Sequence, residues 1–182
     1  MWHLGVRGEV PPQFGHHNIH FGRHWDEAFT DLLRHGRPMR DPSRFVAVPS
    51  RDDPSAAPAG HSTLYVLEPT PNTRVGRGVD WATEGPRLRD RMLTDLDAWG
   101  YPTDIVTERL VTPADWERQG MAAGTPFALA HTFFQTGPFR PSNVDRRARG
   151  LVFAGSGTVP GVGIPMVLVS GKLAARRVRG LA

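Results

Sequence analysis

Residues 150–172, GLVFAGSGTVPGVGIPMVLVSGK, decide how this chain is read. Leu151, Val152, Phe153 and Ala154 predict a short buried strand. Gly155, Gly157, Gly161 and Gly163 predict a turn, and a helix opens near Pro165. A turn of this kind brings bare backbone N–H groups and a helix N-terminus to one point, which suits a phosphate or an anionic ring. The pattern is not the dinucleotide fingerprint G-x-G-x-x-G. Counting from Gly155 and Gly157, the third glycine falls on Pro160, and no acid-bearing second strand follows. The stretch is a strand–turn–helix that completes a cofactor site rather than building one.

Composition narrows the setting. Hydrophobic content is 39% with 20 glycines and 17 prolines, which predicts many loops and short strands. Cysteine is absent, so disulfides contribute nothing, and the first residues lack a basic-then-apolar signal layout. Both point to the cytoplasm. The net charge is +4, and basic residues gather at Lys172, Arg176, Arg177 and Arg179. These complement a helix C-terminus, or attract an anionic membrane surface; the first reading is preferred. Nucleic acid is set aside, because basic residues elsewhere are interleaved with acids. Residues 120–139 and 151–171 lack Asp, Glu, Lys and Arg over spans of about 20 residues, long enough to suggest a membrane crossing. Their prolines and glycines argue instead for buried or ligand-lining segments.

Upstream, residues 2–6 and 17–21 predict strands, the second alternating Ile19 and Phe21 with Asn18 and His20. Because the first strand starts at the initiator methionine, upstream partner strands are expected to be missing. His16, His20 and His24 have the i, i+4 spacing of a helical metal face, but flanking glycines and a period-two pattern place them on a strand, so no metal is expected. Residues 25–35 predict a helix with Trp25, Ala28, Phe29, Leu32 and Leu33 as its apolar stripe and Gly36 as its stop. Strands follow at 45–48, 64–68 and 105–111. A helix at 86–99 opens on Pro86 and buries Leu88, Met92, Leu93, Leu96 and Trp99. Thr112-Pro113-Ala114-Asp115 is a helix start with a capping box.

The glycine stretch, with Gly155, Gly157, Thr158, Pro160, Gly161, Gly163, Ile164 and Pro165 followed by a small-residue helix, resembles the carboxy-terminal flavin motif of bacterial-type phytoene desaturases. Other blocks occur in the order seen in that family: the H-H-x-I-x-F-G run, Asp53-Pro54-Ser55, residues 64–69 (LYVLEP), Asp80-Trp81 with Glu84-Gly85-Pro86, residues 112–115 and Phe139-Arg140-Pro141. The likeness runs from about residue 14 to the end. Val159 departs from the polar residue usual at its position, which removes any polar role there.

The resemblance implies FAD-dependent desaturation of a linear carotenoid precursor such as phytoene, with an apolar polyene as substrate. It implies flavin contacts at Gly155, Thr158, Gly161, Gly163, Ile164, Pro165 and Met166. Phe127, Phe133, Phe134 and Phe139, in a charge-free segment, are candidates to line a polyene tunnel. No catalytic residue is named; His131 and Arg140 qualify only by flanking the expected cleft. The amino-terminal dinucleotide unit of such enzymes has no counterpart here. The expectation is therefore a carboxy-terminal portion that works with a missing amino-terminal half or a split-enzyme partner, in the cytoplasm and in reach of a membrane surface. The expected fold is α+β or α/β. A mixed sheet with flanking helices, from a polyene-facing domain, spans residues 1–145. The last strand and helix of a Rossmann-like FAD domain span 146–182. A related polyene ketolase or saturase, and a non-catalytic module docking on membranes or partners, are the alternatives.

Overall fold

The computed structural model describes residues 1–127, 129–130 and 132–180. They form two compact units, Met1–Thr125 and Pro126–Ala182. The division at 145/146 expected from the sequence is one of function, and it falls inside the second unit.

The first unit is built on the alternation of β1 (Trp2–Arg7), which buries Trp2, Leu4 and Val6 and turns His3, Gly5 and Arg7 to the other face. Strand β4 (His61–Leu67) matches it, with Leu64 opposite Leu4 and Val66 opposite Trp2. With β2 (His17–His20), β3 (Arg44–Ala47) and β5 (Asp104–Leu110), the five strands take the order β2-β3-β4-β1-β5. Every pairing is antiparallel, where a sheet of mixed direction was expected. The reason lies in α2 (Trp81–Trp99), which carries the chain from β4 to β5. Those strands run the same way, but the crossover straddles β1 instead of joining neighbours, so adjacent directions alternate throughout.

Helix α2 lays Trp81, Leu88, Met92 and Leu96 on the face that carries Trp2, Leu4, Val46, Leu64 and Val66. Each such side chain contributes roughly 1.5–3 kcal/mol when fully buried. The helix starts a turn earlier than its proline suggests. The Asp80 carboxylate accepts from the Ala82 amide at 3.1 Å, and Pro86 is carried inside the helix.

The helix expected at 25–35 is α1 (Trp25–Thr30) followed by a π-helical turn, Asp31–His35. Gly36 stops it as expected, with φ 61°, and a Cβ there would sit 2.2 Å from the Val75 carbonyl oxygen. The stripe is not a core stripe: Ala28 is buried, whereas Trp25, Phe29 and Leu33 are exposed. What anchors the segment is Asp31. Its fully buried carboxylate accepts from Arg37 Nη2 at 2.6 Å and Arg40 Nε at 2.8 Å, with His35 Nδ1 at 3.4 Å. The Arg37 hydrogen bonds, then those of Arg40 and His35, hold that carboxyl well below the usual range. Helix α3 (Pro113–Arg118) has the expected capping box. The Asp115 carboxylate accepts from the Thr112 amide at 2.7 Å, and the Thr112 hydroxyl accepts from the Asp115 amide at 3.4 Å.

In the second unit, short 3₁₀ turns at Phe133–Gln135 and Gly137–Phe139 lead to the glycine stretch and then to α4 (Ile164–Val178). The buried strand expected at 151–154 is reduced to one antiparallel bridge, Val144 to Val152, and Leu151 and Phe153 are exposed. A strand needs a ladder, and among the described residues no named strand pairs with this segment. Among the described residues no helix is long and apolar enough to cross a membrane.

Candidate functional site

The glycine turn is held by two side chains that arrive just before it. Arg140 donates from Nε to the Thr158 carbonyl at 3.2 Å, from Nη1 to Gln135 O at 3.3 Å, and from Nη2 to Ser156 O. Asn143 shares its two Nδ2 hydrogens among Phe153 O at 3.1 Å, Val159 O at 3.2 Å and Ser170 Oγ at 3.3 Å. Ser170, on α4, accepts in turn from the Gly155 amide at 3.1 Å. The Pro141 carbonyl receives the Val159 amide at 3.0 Å and the Thr158 hydroxyl at 2.8 Å. The turn's carbonyls are thus drawn inward. Among the described residues the amides of Gly157, Gly161 and Gly163 find no acceptor.

The outward side is open. A Cβ built at Gly155, Gly157, Gly161 or Gly163 would meet no atom within 4 Å, so nothing in this packing crowds them. Gly163 precedes α4 with φ 99° and ψ 150°, a conformation that demands glycine. No side chain caps this helix and its first turn carries no acid, so its positive end stands bare among the described residues. Ile164 is 77% exposed, and Met166 is exposed beside it. A cradle of uncrowded glycines with unused amides at a bare helix N-terminus fits a flavin cofactor, which brings negative charge and a flat ring.

The proposed contacts are therefore brought together in part. Gly155, Gly161, Gly163, Ile164, Pro165 and Met166 belong to one turn and helix start. Thr158 is buried and spends its hydroxyl on Pro141. Phe133, Phe134 and Phe139 form an exposed aromatic trio with ring centroids 5.2–5.5 Å apart. Phe127 is also exposed. His131 lies outside the described residues. Arg140 cannot serve as a base: its guanidinium stays protonated and is committed to three carbonyls. The histidine run is dispersed. His16 pairs with Asp52 at 2.6 Å, while His20 stacks on Trp99 at 3.7 Å and meets the Tyr101 hydroxyl at 3.0 Å. Burial, then the nearby Arg44, pushes the His20 pKa down. Sequence reasoning missed the role of Asn143; its one signal was proximity to the Arg140-Pro141 pair ahead of the glycines.

A cleft of about 680 Å³ opens beside the turn, walled in part by Arg140, Pro141, Phe153, Gly157 and Thr158. Comparison with known proteins gives this arrangement its context. Residues 20–179 match the family described as flavin containing amine oxidoreductase. The chain belongs to that family. It is 53% identical over 173 residues to a phytoene dehydrogenase of Streptomyces griseus, covering 93% of this chain and 34% of that relative. It is 41% identical over 182 residues to a zeta-carotene-forming phytoene desaturase of Myxococcus xanthus, covering 97% and 34%. A 4,4'-diapophytoene desaturase of Staphylococcus aureus is 36% identical over 180 residues, covering 95% and 36%. The chain spans about one third of the length of these curated relatives. Family membership makes flavin the cofactor class to which the open turn answers.

Proposed function

We propose that this chain is the carboxy-terminal part of an FAD-dependent desaturase that introduces double bonds into a linear carotenoid precursor such as phytoene. The observation that carries the reading is the uncrowded, amide-bearing glycine turn at the start of α4, in a chain 53% identical to a phytoene dehydrogenase. When bound, the flavin supplies the hydride acceptor; the protein positions it and excludes water. Gly155, Gly161, Gly163 and the start of α4 at Ile164, Pro165 and Met166 hold the cofactor through backbone and apolar contacts, and Thr158 shapes the turn from within. Phe127, Phe133, Phe134 and Phe139 offer apolar surface to the polyene. In this division residues 1–145 face the substrate and 146–182 the flavin. The remaining length found in the relatives supplies the rest of the cofactor site.

The test is reconstitution. The chain is co-expressed with the complementary two thirds of the Streptomyces griseus relative in cells that accumulate phytoene. The expected outcome is a yellow flavoprotein complex and chromatographic conversion of phytoene to longer conjugated polyenes. A purified complex without flavin absorbance, and no conversion, would overturn the reading.

A further inference from the structure

Arg140 is the one strongly buried cation of the second unit, only 4% exposed, and all three of its hydrogen-bond partners are neutral carbonyls. Arg44 of the first unit makes the contrast. It is equally buried, but its guanidinium meets the Glu68 carboxylate at 2.7 Å and that of Asp95. Among the described residues no carboxylate pairs with Arg140. From residue 126 onward the sequence offers one acid, Asp145. Its Oδ1 accepts from the amides of Arg147 at 2.6 Å and Ala148 at 3.2 Å. A buried charge left without a counter-ion is costly, and such charges are normally paired. Arg140 nevertheless forms part of the wall of the 680 Å³ cleft, together with Gly157 and Thr158, and Arg146 and Arg147 line the same cleft. Three guanidinium groups and one occupied carboxylate therefore border a cavity beside amides that lack acceptors.

We propose that this cleft is an anion site for a phosphate or diphosphate group, with Arg140 as its buried counter-charge and Arg146 and Arg147 as its rim. Carbonyls accept Arg140's hydrogen bonds without neutralising it, so its field reaches the cleft undiminished by any ion pair. The bonds to Ser156 and Thr158 make the same side chain the brace of the turn, and this couples the turn's shape to occupation of the cleft. The inference rests on the flavin reading only for the anion's identity, where the diphosphate of FAD is the natural candidate.

The probes are sodium pyrophosphate, FAD and phosphate-free riboflavin, titrated into the isotope-labelled chain with the amide resonances of Gly157 and Thr158 followed by NMR. Pyrophosphate is expected to shift both, more weakly as salt rises, and to compete with FAD; riboflavin is expected to leave that competition unaffected. Arg140→Gln should weaken pyrophosphate at least about tenfold and Arg147→Gln about threefold, while Arg140→Lys keeps most of the affinity. Because Arg140→Gln also removes the brace, the Ser170 amide reports whether the turn survives; if it does not, Arg147→Gln decides. Pyrophosphate binding without FAD binding would leave the anion site standing and remove the flavin reading. The flavin reading would survive, and the anion site fall, if FAD bound while pyrophosphate shifted neither amide. The same holds if wild type and variants bound pyrophosphate alike.

Discussion

The hydrophobic core belongs to residues 1–125, where Trp2, Leu4, Val46, Leu64, Val66, Leu88 and Leu96 are shut away from water. Residues 126–180 bury Arg140, Asn143, Thr158 and Ser170 instead, and leave Phe133, Phe134, Ile164, Leu168 and Val178 in solvent. Charge divides along the same line. The first stretch has 14 basic and 17 acidic residues, and residues 126–182 have eight and one. The first unit thus carries its own driving force, at about 25 cal/mol per Å² of apolar surface buried. The second is held by hydrogen bonds, each worth only about 1 kcal/mol net. It turns its apolar and cationic groups outward, as expected of a surface built to be completed by other polypeptide or by ligand.

Acid should separate the two most strongly. The first unit's carboxylates sit well below their usual range. Arg37 does this to Asp31, the His24 amide to Asp41, the Thr83 hydroxyl to Asp80 and Arg89 to Glu108. Their folded values lie below the unfolded ones, so the unfolded chain binds more protons as pH drops. The stability they give is fully present above about pH 5, and it is lost as pH falls through the ordinary carboxylate range and below. All five tryptophans lie in residues 1–125, so their fluorescence reports this unit alone. The expected outcome is loss of the cooperative tryptophan transition by about pH 2, with amide protection at Asn143 and Ser170 little changed. Parallel loss of both would show that the second unit depends on carboxylates of the first.

A core truncation should come next. Leu64 is 0% exposed at the centre of the sheet, and Leu64→Ala is expected to cost about 2–5 kcal/mol in urea unfolding followed by tryptophan emission. A cost under about 1 kcal/mol would mean that the core collapses around the gap, and the contrast between the units would lose its basis.

The same contrast explains what could be read in advance. Period-two alternation through Trp2, Leu4 and Val6, the stop at Gly36 and the Thr112–Asp115 box are local codes, and the structure follows them. The stripe of Trp25, Phe29 and Leu33 was legible as a stripe, but a pattern does not say whether anything covers it. Glycine spacing announced a turn at 155–163. The grip of Arg140 and Asn143 on its carbonyls was not legible, because bonds from side chain to backbone across more than ten residues leave no period in the sequence. The single bridge at Val152 shows the same limit for a strand, whose existence depends on a neighbour.

Leu168→Ser should have the smallest effect, and it tests the outward-facing half of the comparison. Leu168 is 68% exposed on α4, so removing it takes away apolar surface that water already covers. Only helix propensity is lost, a few tenths of a kcal/mol. Protection at the Ser170 amide should therefore hold within about 0.5 kcal/mol of the parent, while binding of an environment-sensitive apolar dye falls. Ser170 is a strict reporter here, because its side chain joins Asn143 to Gly155. A loss at Ser170 as large as that expected for Leu64→Ala would mean that Leu168 is packed in solution. The apolar face of α4 would then already be covered, by a second copy or by the chain itself. Unchanged protection in the isolated chain, with loss of assembly when the complementary part of a relative is supplied, would place Leu168 in the surface that joins the two.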